Sequence, residues 1–101
     1  MGGIEYTIQY HHRVVLEDVA KLDRQVKQRI RRAIEGKLLT EPELFGKPLR
    51  KSLKGYRSLR VGDYRVIFFI KQEVITVISI RHRTEAYPFT LERLNLTKFP
   101  Q

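Results

Sequence analysis

Tyr56-Arg57-Ser58-Leu59-Arg60-Val61-Gly62-Asp63-Tyr64-Arg65-Val66-Ile67-Phe68-Phe69-Ile70 decides the fold of this chain. On both sides of Gly62-Asp63 the side chains alternate between the two faces of a strand, one of them consistently apolar. A glycine in the first turn position suits a type II′ hairpin. The spacing predicts a strand over 56–61, a two-residue turn and a returning strand over 64–70. In that register Val61 faces Tyr64, Arg60 faces Arg65 and Leu59 faces Val66. One face then carries Tyr56, Ser58, Arg60, Arg65, Ile67 and Phe69, reaching Lys54 if the strand extends that far; Leu59, Val61, Val66, Phe68 and Ile70 line the other. Residues 74–81 read as a third strand. Its register stays open, because Lys71-Gln72-Glu73 has neither Gly nor Asn to define a turn. A three-residue loop sets Arg65 opposite Ser79, on the face of Arg81; a two-residue turn sets it opposite Ile80, on the face of His82.

Upstream, residues 4–10 alternate as a first strand. From Val15 the period changes: Val15, Val19, Leu22, Val26, Ile30 and Ala33 recur at three- and four-residue intervals with Arg24, Lys27, Arg31 and Lys37 between them. Asp23 suits an N-cap, so the stretch reads as two helices, 12–22 and 24–38, folded as a hairpin, with one long helix as the alternative. Glu41 to Pro48, punctuated by two prolines and a glycine, is a connector. Tyr87-Pro88 opens a short helix with Leu91, Leu94 and Leu96 on its apolar side, and residues 98–101 are expected to fray. The expected architecture is a single α+β domain over 1–101, β-α-α-β-β-β-α, with an antiparallel sheet, helices on one face and the other face open.

Composition narrows the function. The chain has 101 residues, 42% of them hydrophobic, enough for one small core. Its net charge of +9 favours a polyanionic partner, nucleic acid before membrane. No cysteine is present, which excludes disulfides, thiolate zinc sites and cysteine nucleophiles and is at home in a reducing cytoplasm. Met1-Gly2-Gly3-Ile4-Glu5 does not read as a secretion signal, and Lys71-Gln72-Glu73 interrupts the longest apolar stretch, so no membrane span is expected. Between Leu44 and Gly62 lie Lys47, Arg50, Lys51, Lys54, Arg57 and Arg60 without one acid, interleaved with Phe45 and Tyr56. A basic run with aromatic side chains favours nucleic acid, although a solvated connector carries charges too and a protein or an acidic membrane could also be the counterpart.

Two arginines directly opposed across a strand pair oppose folding by about 0.2–1 kcal/mol, and a phosphate is a natural compensator. The alternative is that Arg60 and Arg65 splay into solvent or pair with Asp63 and Glu73. His82, in Arg81-His82-Arg83 beside a strand end, is the best available proton-transfer residue. His11-His12 diverge and lack a third ligand at metal spacing; no metal and no small-molecule cofactor are expected.

The order of these elements resembles the RelE/ParE toxin superfamily of type II toxin–antitoxin systems, most closely its RelE and YoeB branch. The resemblance rests on Gly46-Lys47-Pro48-Leu49 leading through Leu53-Lys54-Gly55-Tyr56-Arg57 into Leu59-Arg60-Val61-Gly62-Asp63-Tyr64-Arg65-Val66-Ile67-Phe68, and on Val77-Ile78-Ser79-Ile80-Arg81-His82-Arg83 with Glu85-Ala86-Tyr87. It implies a toxin that docks on the ribosome, cuts messenger RNA without a metal and is held inactive by a cognate antitoxin encoded in the same operon. It also implies site roles: Arg65 for the phosphorane charge, His82 as acid, Arg83 and Tyr87 beside them, Tyr87 orienting or stacking a base. Arg81 joins the basic residues of the 44–62 run as an RNA contact. Two departures are evident. RelE-type members place lysines on the first meander strand, where this chain has Tyr56, Ser58 and Arg60; the glutamate of YoeB-type members before Pro-Leu is Lys47 here. The general base is therefore open between Lys54 and His82. A ParE-like gyrase inhibitor without chemistry, and a non-toxic nucleic-acid-binding module, are the alternatives.

Overall fold

The structure, a computed structural model, describes residues 5–97. Five strands form one sheet in the order β1-β5-β4-β3-β2: β1 Thr7–Tyr10, β2 Lys47–Pro48, β3 Arg57–Val61, β4 Tyr64–Lys71 and β5 Val74–His82. All neighbours are antiparallel except β1 and β5, so the sheet is mixed rather than wholly antiparallel. The short edge strand β2 lies inside the expected connector. Its Pro48 is tolerated because an edge position needs no ladder donor on its outer side.

The helical hairpin is present. Its first arm, α1, is a wide π-type turn at Val14–Asp18 tightening into a 3-10 turn at Val19–Lys21. The second, α2, spans Arg24–Ala33 and continues in wide turns through Ile34–Leu38. Leu22 is extended between them, and the Asp23 carboxylate accepts the Val26 amide at 2.9 Å, the N-cap expected from the sequence. A single helical turn, α3, covers Pro42–Phe45. A Cβ at the following Gly46 would collide with the Phe68 ring and crowd the Pro42 carbonyl, so only glycine lets this turn close on the sheet.

The first core lies between the hairpin and one sheet face: Val14, Ile30, Ile34 and Leu38 pack on Leu59, Val61, Val66, Phe68, Ile75, Val77 and Ile80. The second face is not open. The C-terminal helix α4, Ala86–Thr97, and a 3-10 turn at Lys51–Leu53 cover it, burying Leu53, Tyr56, Ile67, Ile78 and Ala86 with Leu49, Phe69, Leu91 and Leu94 against them. Apolar residues at alternate positions on both faces of β4 require a second cover, and α4 supplies it. The expected fraying of 98–101 and the beginning of the first strand at Ile4 lie outside the described residues. Among those described, no helix is long and apolar enough to cross a membrane.

Candidate functional site

The β3–β4 hairpin has the expected register, with Arg60 directly opposite Arg65 and Val61 opposite Tyr64. Gly62 takes a positive φ of 58° and Asp63 does not, as a type II′ turn requires. The third strand follows neither sequence alternative. Gln72-Glu73 form a two-residue turn with Lys71 opposite Val74, and a bulge then inserts Ile78 between the pairs Ile67–Ser79 and Phe68–Val77. Beyond the bulge Arg65 faces Arg81 and Tyr64 faces His82. Arg60, Arg65 and Arg81 thus form one row across three strands, while alternation turns His82 to the opposite face.

The row is not uniformly available. Arg60 is exposed, and Arg65 is half-buried with Nη1 donating to the carbonyls of Gly62 (3.0 Å) and Tyr64 (2.9 Å), which holds its fork at the turn. Neither arginine pairs with Asp63 or Glu73; Asp63 takes Arg83 instead, at 3.6 Å, and its carbonyl accepts the Arg83 amide at 2.7 Å. Arg81 is the correction. Expected as an RNA contact, it is buried, bonded to Asp18 at 2.9 Å and stacked 3.6 Å from the Phe89 ring centroid. Arg57 is likewise engaged, donating to the carbonyls of Gly46 (2.8 Å) and Glu43 (3.3 Å) from the face opposite Arg65.

At the end of β5, His82 packs edge-on against Tyr64 with ring centroids 5.7 Å apart, and its Nδ1 lies 2.9 Å from the Thr84 hydroxyl. Thr84 fixes the ring and leaves Nε2 as the nitrogen that a substrate can meet. Arg83 is exposed beside it. A further cation reaches this end of the sheet from α2: a Cβ on Gly62 would lie 2.9 Å from the Arg29 guanidinium. Arg29 was invisible as a site residue in the sequence, because on an amphipathic helix it is one basic side chain among several.

Lys47, Arg50, Lys51 and Lys54 are exposed, and Lys47 sits opposite Ser58 on the face of Arg65. Tyr87, in the first turn of α4, is exposed and borders a groove of about 290 Å³ with Leu49, Arg50, Lys51, Ser52, Leu53 and Leu91. Tyr56 and Ser58 are buried beneath the same cover. Among the described residues, no cluster of three His, Asp or Glu side chains converges on a point that a metal ion could occupy.

Sequence reading missed the buried ionic cluster that supports this site. The Asp18 carboxylate accepts the Ile80 amide at 2.8 Å, Arg93 Nη1 at 2.9 Å, Arg93 Nη2 at 2.9 Å and Arg81 Nε at 3.1 Å. Glu17 adds a contact to Arg93 Nη2 at 3.2 Å. β1 stops pairing at Val77, so Asp18 takes over the β5 edge where the neighbouring strand has ended. Next to the cluster, burial first, then His12, Arg93 and Arg13, hold the His11 pKa below its ordinary value.

A family model described as "ParE toxin of type II toxin-antitoxin system, parDE" matches residues 8–87. Two proteins of Mycobacterium tuberculosis (strain ATCC 25618 / H37Rv) are similar: Toxin RelE, 35% identical over 69% of this chain and 74% of that protein, and Toxin RelG, 34% identical over 81% and 95%. Among solved structures, the toxin–antitoxin complex RelBE2 from Mycobacterium tuberculosis aligns with a TM-score of 0.73, at 29% identity over 79% of this chain and all of that one. The archaeal RelE–RelB complex from Pyrococcus horikoshii OT3 aligns at 0.61 and 25% identity over 78% and 96%. The chain belongs to the RelE/ParE family of toxins of type II toxin–antitoxin systems.

Proposed function

We propose that this toxin is a ribosome-dependent, metal-free messenger RNA endonuclease, kept inactive by a cognate antitoxin encoded in the same operon. The observation that carries it is the concentration of cations at one end of the sheet, where Arg60, Arg65, Arg83 and Arg29 surround the Gly62-Asp63 turn and His82 stands at the adjoining strand end. In the reaction the ribose 2′-oxygen attacks the adjacent phosphorus and loses its proton to a base, while the bond to the 5′-oxygen breaks. The products are a 2′,3′-cyclic phosphate and a 5′-hydroxyl. Arg65 stabilises the negative charge of the phosphorane, for which a planar fork of donors is suited. His82 Nε2, on the opposite face from Arg65 but at the very end of β5, reaches around the strand end to deliver a proton to the departing 5′-oxygen. Lys54, exposed at the end of the 3-10 turn that precedes β3, is the candidate base, since Tyr56 and Ser58 are buried. RelB accompanies RelE in the solved archaeal complex, which supports an antitoxin partner here.

Induced expression followed by primer extension on cellular messenger RNA tests the reading. Cuts inside translated regions, absent when Arg65→Ala is induced, are the expected result; intact messenger RNA during growth arrest overturns it. Two observations favour a second reading: the matching family model is described by ParE, and no lysine stands at Tyr56 or along β3. Inhibition of gyrase without chemistry would give DNA breaks with intact messenger RNA.

A further inference from the structure

After β5 the chain folds back on itself: the His82 carbonyl accepts the Glu85 amide at 3.0 Å, and Thr84 comes to lie against the His82 ring. Nδ1 of that ring has two partners, and both belong to Thr84. The hydroxyl lies at 2.9 Å, and the backbone amide donates from 3.3 Å. These partners differ in kind, because an amide can only donate whereas a hydroxyl donates or accepts. In the neutral ring Nδ1 accepts from both, which puts the ring's single proton on Nε2. In the charged ring Nδ1 becomes a donor that the amide opposes, and the Thr84 hydroxyl is the group left to receive it. Lys21 of α1, Tyr64 of β4, Asp18, Arg81 and Glu85 line the crevice beside the ring, and Arg83 is turned to Asp63. Among the described residues no acid takes the place of the hydroxyl: Asp18 is committed to the Ile80 amide and two arginines, and Glu85 makes no hydrogen bond to Nδ1.

We propose that Thr84 is a positioning residue of the cleavage reaction: its hydroxyl accepts Nδ1–H of the charged His82 ring and aims Nε2–H at the departing 5′-oxygen. This role rests on the endonuclease reading and names the group through which His82 is held. As the bond from phosphorus to the 5′-oxygen breaks, its electron pair stays on that oxygen, which takes the Nε2 proton. The ring is left neutral, with its remaining proton on Nδ1 and bonded to the Thr84 hydroxyl. Exchange with solvent then returns the proton to Nε2, the tautomer that the Thr84 amide favours. Where serine-hydrolase triads use a carboxylate to orient the imidazole, a neutral hydroxyl does so here without setting a second negative charge beside the phosphate. The resting ring has no bare Nε2 to accept the 2′-hydroxyl proton, so His82 serves as acid and the base lies elsewhere.

The test uses the full chain on ribosomes programmed with messenger RNA, with single-turnover cutting rates measured against toxin concentration from about pH 6 to 9. Thr84→Val keeps the shape and the amide but removes the acceptor. It is expected to lower the maximal rate roughly 10-fold or more, inside the span of about 10²–10⁴ that general acid–base catalysis supplies, with half-saturation unchanged within about 2-fold. Its activity should also fall off at a lower pH, because the charged ring has lost its Nδ1 acceptor. Thr84→Ser restores both. In a His82→Gln background Thr84→Val should cost nothing further, since Thr84 acts through the ring. Full rate in Thr84→Val overturns the proposal. An equal loss with His82 already replaced does so too, as does a raised half-saturation at unchanged maximal rate, which would make Thr84 an RNA contact. Nitrogen-15 spectra of the free chain at about pH 8.5, where an ordinary imidazole of pKa about 6.5 is neutral, read the His82 tautomer without any cutting. A proton on Nε2 is expected, and one on Nδ1 overturns the assignment. Messenger RNA left whole by the wild-type chain would end the endonuclease reading itself, a result that leaves the tautomer measurement standing.

Discussion

Asp18 and Arg93, 75 residues apart in sequence, meet in a buried bidentate pair with both bonds at 2.9 Å. Through Arg81 and the Ile80 amide the same carboxylate holds the β5 edge, so one side chain ties α1, β5 and α4 together. The Phe89 ring lies against both guanidiniums, at 3.6 Å from Arg81 and 4.7 Å from Arg93.

Removing one partner of a buried ion pair leaves the other charges desolvated, a loss of about 3–5 kcal/mol. Asp18→Ala should therefore lower stability by that order in urea denaturation. Arg31→Ala breaks the exposed Arg31–Glu35 pair at 3.2 Å and should change stability by no more than about 0.5 kcal/mol. Equal effects of the two variants would count against a structural role for the Asp18 cluster.

Arg60 opposite Arg65 is a repulsion kept in the fold. Arg60→Thr should stabilise the free protein by about 0.2–1 kcal/mol while weakening RNA binding. If Arg60 and Arg29 each contact one phosphate of single-stranded RNA, replacing either reduces the slope of log affinity against log salt by about 0.7. Salt titrations of Arg60→Thr and Arg29→Ala measure this; an unchanged slope removes that residue from the interface.

Gln72 sits in the β4–β5 turn at φ 58°, where glycine is at ease and a residue with a Cβ is not. Gln72→Gly should raise stability by about 0.5–1 kcal/mol, the left-handed strain relieved less the entropy that glycine adds to the unfolded chain. Chemical denaturation of an otherwise wild-type chain decides the sign.

His11 titrates below its ordinary value because burial, and then His12, Arg93 and Arg13, disfavour its charged form, with Asp18 opposing them. On acidification the unfolded chain takes up this proton first, at about pH 6.5, so the contribution of His11 is fully present above that pH. It is lost as pH falls from there toward the depressed folded value. His11→Asn, which retains an acceptor for the Arg13 amide now bonded to Nδ1 at 3.2 Å, should flatten the fall in stability between pH 7.5 and about 5.5. Parallel slopes in variant and wild type would remove His11 from the acid sensitivity.

Alternation around Gly62-Asp63 was sufficient to set Arg60 against Arg65, because a two-residue turn and a period of two leave a single pairing. Asp23 as an N-cap and the family pattern were legible for the same reason: each depends on residues near one another in the chain. The second sheet face was read as open because Leu91 and Leu94 say that α4 buries a face without saying against what. Arg81 looked like an RNA contact because a basic residue beside a histidine carries no local mark of a carboxylate 63 residues away.

Local period and turn chemistry thus determined, from sequence alone, the helical hairpin, the β3–β4 register and the polyanion-seeking charge. Tertiary structure alone decided which cations face outward. The Ile78 bulge moved Arg65 opposite Arg81 and turned His82 to the other face, and Asp18 drew Arg81 inward. A bulge adds one residue without altering composition, and a buried ion pair forms only when distant segments have already excluded water between them.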